Sequence, residues 1–149
     1  MRFEGKLARD GAWWLAEVPI LGALTQGRTR KEALEMIADW VETMVGRAGF
    51  RASVFPLRKD AFELAGNDAG AMTALLLRRR REASGRSLRE VASRLGSESP
   101  NAYARYERGA AVPTVEKLDA LLKAASGGDF VIRDSGGGSV ADATRTKRR

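Results

Sequence analysis

Between Ser87 and Gly109 the chain reads SLREVASRLGSESPNAYARYERG, and two helix starts and a helix stop crowd into that stretch. Ser87-Leu88-Arg89-Glu90 has capping-box spacing. The serine hydroxyl can take the amide of the residue three on, and Glu90 can reach back to the amide of Ser87. Val91, Ala92 and Leu95 give the helix that follows an apolar stripe, and Gly96 ends it. Ser99-Pro100 then opens a second helix, because serine is a favoured N-cap and proline at the first helical position gives up only an amide that had no partner. Chains with this spacing are confined to two short helices joined by a tight turn.

That arrangement is the helix-turn-helix pattern. In the second helix Ala102, Tyr103 and Tyr106 are expected inward, with Asn101, Ala104 and Arg105 outward near its N-terminal end, where a recognition helix meets base edges. Asparagine can pair bidentately with adenine, and arginine with guanine. Thr114 caps a further helix with Leu118, Leu121 and Leu122 apolar. Everything from Ala71 to about Ala125 reads as short helices.

The first half has a different period. Phe3, Gly5 and Leu7 alternate with Glu4, Lys6 and Ala8, Asp10-Gly11 marks a tight turn, and Ala12–Val18 has the aromatic and aliphatic content of a strand. Pro19 ends it. Leu24–Arg28 is a short third strand. Thr29 and Glu32 then have capping-box spacing, and Ala33, Leu34, Ile37, Val41, Met44 and Val45 form one helical stripe with Trp40 beside it, stopped by Gly46 and Gly49. Phe50–Phe55 alternates again. The fold class is α+β. Residues 1–57 are a β-β-β-α-β unit, 58–70 a linker with at most a helical turn at Ala61–Leu64, 71–126 an all-α domain, and 127–149 a lone strand at 129–133 followed by a disordered basic tail.

Charge follows the same division. The net charge is +7. Residues 1–65 carry 10 basic and 9 acidic residues, net +1, whereas residues 66–128 carry 11 and 7, net +4. A polyanionic partner for the helical half follows naturally. The run Arg78-Arg79-Arg80-Arg81 either contacts phosphate or forms a solvated helix face. With no histidine and no cysteine, imidazole bases, thiol nucleophiles, disulfides and the preferred zinc ligands are excluded. No apolar run is long enough to span a membrane, no signal peptide is expected at the charged N-terminus, and a cytoplasmic, non-enzymatic protein without cofactor or metal is expected.

Residues 71–125 resemble the XRE family, the Cro/lambda-repressor type of helix-turn-helix. The matching residues are Leu95-Gly96, Ser99 and above all Tyr106-Glu107-Arg108-Gly109, followed by Pro113 and Leu118. The chain departs from the pattern at Leu88, where the family often has Gln, and in a turn one residue longer. The resemblance implies operator DNA as partner, met by Ser87, Arg89, Ser99, Asn101, Ala102, Arg105 and Arg108. Residues 1–57 resemble the HicB antitoxin family through the Asp10-Gly11 hairpin, Glu17-Val18-Pro19, Leu24-Thr25-Gln26-Gly27, Thr29 and Glu32-Ala33-Leu34-Glu35. That resemblance implies a partial RNase H-like domain. Its partner would be a HicA-type toxin, an mRNA-cleaving protein whose catalytic histidine the domain covers.

Trp13 and Trp14 fall on opposite faces of their strand, so one is a candidate partner contact. Trp13, Trp14 and Glu17 are the expected toxin-binding residues. A homodimer or tetramer is expected, because such proteins read paired half-sites, with Phe130-Val131-Ile132 as candidate intersubunit strand. Two other readings stay open. One is a plain repressor whose first half senses a ligand or dimerises. The other is a small nuclease using Asp10, with Glu4 and Glu17 as neighbours across the hairpin.

Overall fold

The computed structural model describes residues 1–134. The expected basic tail, residues 135–149, lies outside the described residues. The chain opens with two antiparallel strands, β1 (Phe3–Asp10) and β2 (Trp13–Val18). The turn between them is Gly11-Ala12, one residue later than the sequence suggests, with Gly11 at φ +57°. A single 3-10 turn at Pro19–Leu21 leads to β3 (Ala23–Gly27), then α1 (Arg30–Val45), β4 (Ala52–Pro56) and β5 (Ala61–Gly66). Helices α2 (Ala69–Ala83), α3 (Leu88–Arg94), α4 (Asn101–Glu107) and α5 (Val115–Ser126) complete the fold.

The five strands form one antiparallel sheet in the order β3-β2-β1-β5-β4. The sheet therefore has a strand more than the expected β-β-β-α-β unit, and that strand lies in the supposed linker 58–70. Ala61–Gly66, with Ala, Glu, Leu and Gly, has little strand propensity of its own. It is extended because it pairs on both sides, Phe62 with Gly5 of β1 and with Pro56 of β4. Tertiary pairing overrides local preference here. Glycine at position 5 is required: a Cβ there would stand inside the Phe62 ring.

One face of the sheet carries Phe3, Leu7, Ala16, Val18 and Leu64, all buried in the same core cluster as Ala33, Ile37 and Val41 of α1. The core does not stop there. Helix α2 is buried continuously from Ala71 to Leu77, packing against the 3-10 turn, β5 and α1 on one side and α4 and α5 on the other. The sheet half and the helical half thus share one hydrophobic core.

The arginine run of α2 holds this junction together and does not form the solvated helix face that is one of its two expected roles. Arg78 donates to the Met44 carbonyl (2.6 Å). Arg79 donates to the Leu21 carbonyl (2.8 Å) and lies over Trp40. Arg80 lies over Phe130, and Arg81 turns into the helical half. Packing of α1 and the 3-10 turn against α2 leaves no solvated arginine face. The expected strand at 129–133 is absent: Asp129–Asp134 has no ladder partner, Phe130 rests on the core, and Val131 and Ile132 are exposed.

Candidate nucleic-acid interface

The helical half is built around α4. Tyr103 is fully buried and its hydroxyl donates to the Leu77 carbonyl of α2 (3.1 Å). Burial pushes the phenol's pKa well above its ordinary value. One turn on, Glu107 accepts two hydrogen bonds from Arg81, from Nε at 2.7 Å and from Nη2 at 3.0 Å. The same guanidinium donates to the Arg86 carbonyl, and Arg86 in turn donates to the Ala124 and Ala125 carbonyls at the end of α5. The Glu107 partner raises the Arg81 pKa above its ordinary value. Bidentate pairing of this kind fixes orientation as well as charge. The recognition helix is thus pinned at its middle and its end.

The capping box of α3 forms as expected. Ser87 Oγ accepts from the Glu90 amide (3.2 Å), and Glu90 accepts from the Ser87 amide (2.6 Å), which holds the Glu90 carboxyl below its usual range. Helix α4 begins differently. Pro100 occupies the N-cap position in helical conformation, and no side chain caps it. The Ser99 hydroxyl makes no cap. Instead Ser97 Oγ accepts from the Ser99 amide (3.3 Å), because the longer turn brings Ser97 back over it.

Among the residues expected to meet DNA, Ser87, Arg89, Ser99, Asn101, Arg105 and Arg108 are exposed, and Ala102 is half-buried. Ala104, expected outward, is buried, since its Cβ points at the side of α4 that packs on the neighbouring helices. Arg105 is not a free side chain: its Nη2 donates to the Tyr106 hydroxyl (3.1 Å) and its guanidinium lies over that ring. Arg89 shares a surface concavity with Ser93, Gly96, Ser97 and Glu98. Those four carry no pairing signal in the sequence and gather only because the turn folds back on α3.

Helix-turn-helix is also what comparison returns: that family matches residues 77–125. Residues 77–125 are an XRE-type helix-turn-helix domain. The match starts inside α2 and ends inside α5, so α2 serves both as first helix of this domain and as a wall of the sheet core. The chain matches no curated protein.

The other face of the sheet is open. It carries Trp13, Leu15 and Glu17 of β2, with Leu24 opposite Glu17 and 60% exposed. Lys6 pairs with Glu17 (3.1 Å), and Arg28 stacks over Trp13 (3.8 Å). Trp14 lies on the core face beneath Arg30 and Arg9. Trp13 and Glu17 therefore share a surface that Trp14 does not. Glu4 and Glu17, expected as neighbours across the hairpin, share a face only diagonally: Glu17 is directly opposite Lys6, and Glu4 directly opposite Glu63 of β5, itself paired with Arg2 (2.9 Å). Among the described residues no three acidic side chains converge as metal ligands, and no helix is long and apolar enough to cross a membrane.

Proposed function

We propose that the chain is an antitoxin and autorepressor: the helix-turn-helix domain binds the operator of its own operon, and the sheet half neutralises a HicA-type toxin by covering its active site. The observation that carries the DNA-binding part is the matched domain, with Arg89, Asn101 and Arg108 exposed and its second short helix locked by Arg81 and Glu107. The toxin-binding part is supported by the HicB-like order of β1, β2, β3 and α1 and by the open face with Trp13, Leu15, Glu17 and Leu24. Apolar side chains rimmed by ion pairs suit a protein partner. In this reading the sheet half is a partial RNase H-like domain without chemistry of its own, and the protein works in the cytoplasm as a dimer or tetramer.

The test is co-expression with the adjacent short reading frame, followed by pull-down, a growth assay and binding to the upstream duplex. Asn101→Ala and Arg105→Ala are expected to lose operator binding while still rescuing growth. Leu24→Glu and Trp13→Ala are expected to do the reverse. A full chain that leaves the neighbouring gene product lethal defeats the antitoxin assignment and leaves the repressor. The second reading is a plain repressor whose sheet half senses a ligand or dimerises, and the continuous core through α2, which joins the sheet to the helix-turn-helix, supports it.

A further inference from the structure

The loop after the recognition helix, Gly109-Ala110-Ala111-Val112-Pro113-Thr114, contains no basic residue. In helix-turn-helix complexes the segments at the ends of the recognition helix lie along the flanking phosphates, whose contacts position the protein. Positive charge reaches this place from elsewhere in the fold. Arg47, in the loop after α1, sets its Nη2 2.6 Å from where a Cβ on Gly109 would stand, so Gly109 both adopts φ +68° and makes room for that guanidinium. Arg47, Arg78 and Arg108 line one cleft between the end of α1, α2 and the end of α4.

The donors in this cleft are only partly used. Arg47 Nη1 pairs with Asp68 (2.8 Å) on the solvent side, with 45% and 42% of the two side chains exposed. Arg78 spends Nη2 on the Met44 carbonyl, and its Nε is buried out of reach of solvent, so Arg78 contributes charge at the cleft wall more than a free donor. Arg108 is exposed. The cleft's one carboxylate, Glu107, is taken by Arg81. Three guanidiniums around an otherwise largely aliphatic cleft, with Met44, Val45 and Leu75, suit a ligand that offers only acceptors, and a phosphodiester is such a ligand.

We infer that this cleft seats a backbone phosphate of duplex DNA, and that Arg47 lends the sheet half a direct share in DNA binding. The inference rests on the DNA-binding reading above. Phosphate contacts are independent of sequence, so a mixed-sequence duplex of about 30 base pairs is a sufficient probe, titrated by fluorescence anisotropy across a salt series. Arg47→Gln is expected to weaken binding and to reduce the slope of log K against log salt by about 0.9, one phosphate's worth. Arg47→Lys is expected to keep the slope. Arg58→Gln, in the exposed turn between β4 and β5, removes the same charge and is expected to leave the slope as it was. Arg47→Met, which keeps the stem packed, guards against a folding defect and should match Arg47→Gln. A wild-type slope in both Arg47→Gln and Arg47→Met overturns the phosphate seat. So does an equal loss in Arg58→Gln, which reduces the effect to net charge. No binding by the wild-type chain overturns the DNA-binding reading itself.

Discussion

Glu107 and Arg81 show how single residues set the recognition surface. Their side chains are 7% and 16% exposed, and the carboxylate takes both guanidinium bonds. Removing one partner leaves the other charged and poorly solvated. Glu107→Ala is expected to destabilise the protein by about 3 kcal/mol in urea unfolding, and Glu107→Gln by less, because the amide oxygen still accepts one bond. Tyr103→Phe is expected to cost about 1 kcal/mol, the net worth of one buried hydrogen bond. The sequence flags Tyr106–Gly109 as a motif without saying what Glu107 does. Its partner lies 26 positions away on another helix, a distance that no local pattern spans.

At the scale of elements, caps and periodicity are legible where the physics is local. Thr29, Ser87 and Thr114 all accept the amide three residues on. Asp68 does the same for α2, a cap that the sequence hides because the residues before it have the composition of a linker. The Ala71 amide, and then Arg47, hold the Asp68 carboxyl below its ordinary 3.8, and the Ser87 amide holds Glu90 below its ordinary 4.5. A depressed carboxylate stabilises the fold above its unfolded pKa and loses that contribution as pH falls through the folded value. Chemical-denaturation midpoints measured from pH 6 to pH 3 are therefore expected to fall on acidification. The Asp68→Asn, Glu90→Gln double variant is expected to start lower and fall less steeply. An identical pH slope in the double variant would place the acid sensitivity elsewhere.

For the whole molecule the shared core makes a sharp prediction. A fragment of residues 1–57 lacks β5, which stands between β1 and β4. It also lacks α2, which covers the 3-10 turn and the end of α1. That fragment is expected to be unfolded by circular dichroism and amide dispersion, and the full chain to melt in one transition. Two separate transitions would restore the picture of beads on a linker. Operator half-sites are expected one or two helical turns apart, read by footprinting, if the DNA-bound form is a symmetric dimer.

The amino-acid order alone determined the elements whose cause lies within a few residues: the first hairpin, the capped α1 with its apolar stripe, and the two short helices with their tight turn. It also located the helix-turn-helix, since caps, a stop and the Tyr106–Gly109 motif fall inside one short window. Only the tertiary structure decided what depends on partners distant in the chain. Ala61–Gly66 became a central strand because two neighbours offer it hydrogen bonds, Arg78 and Arg79 became clamps because carbonyls of Met44 and Leu21 come within reach, and Arg47 came to stand at Gly109. Backbone pairing and long flexible cations take their roles from whatever packs against them, and that is a property of the assembled core.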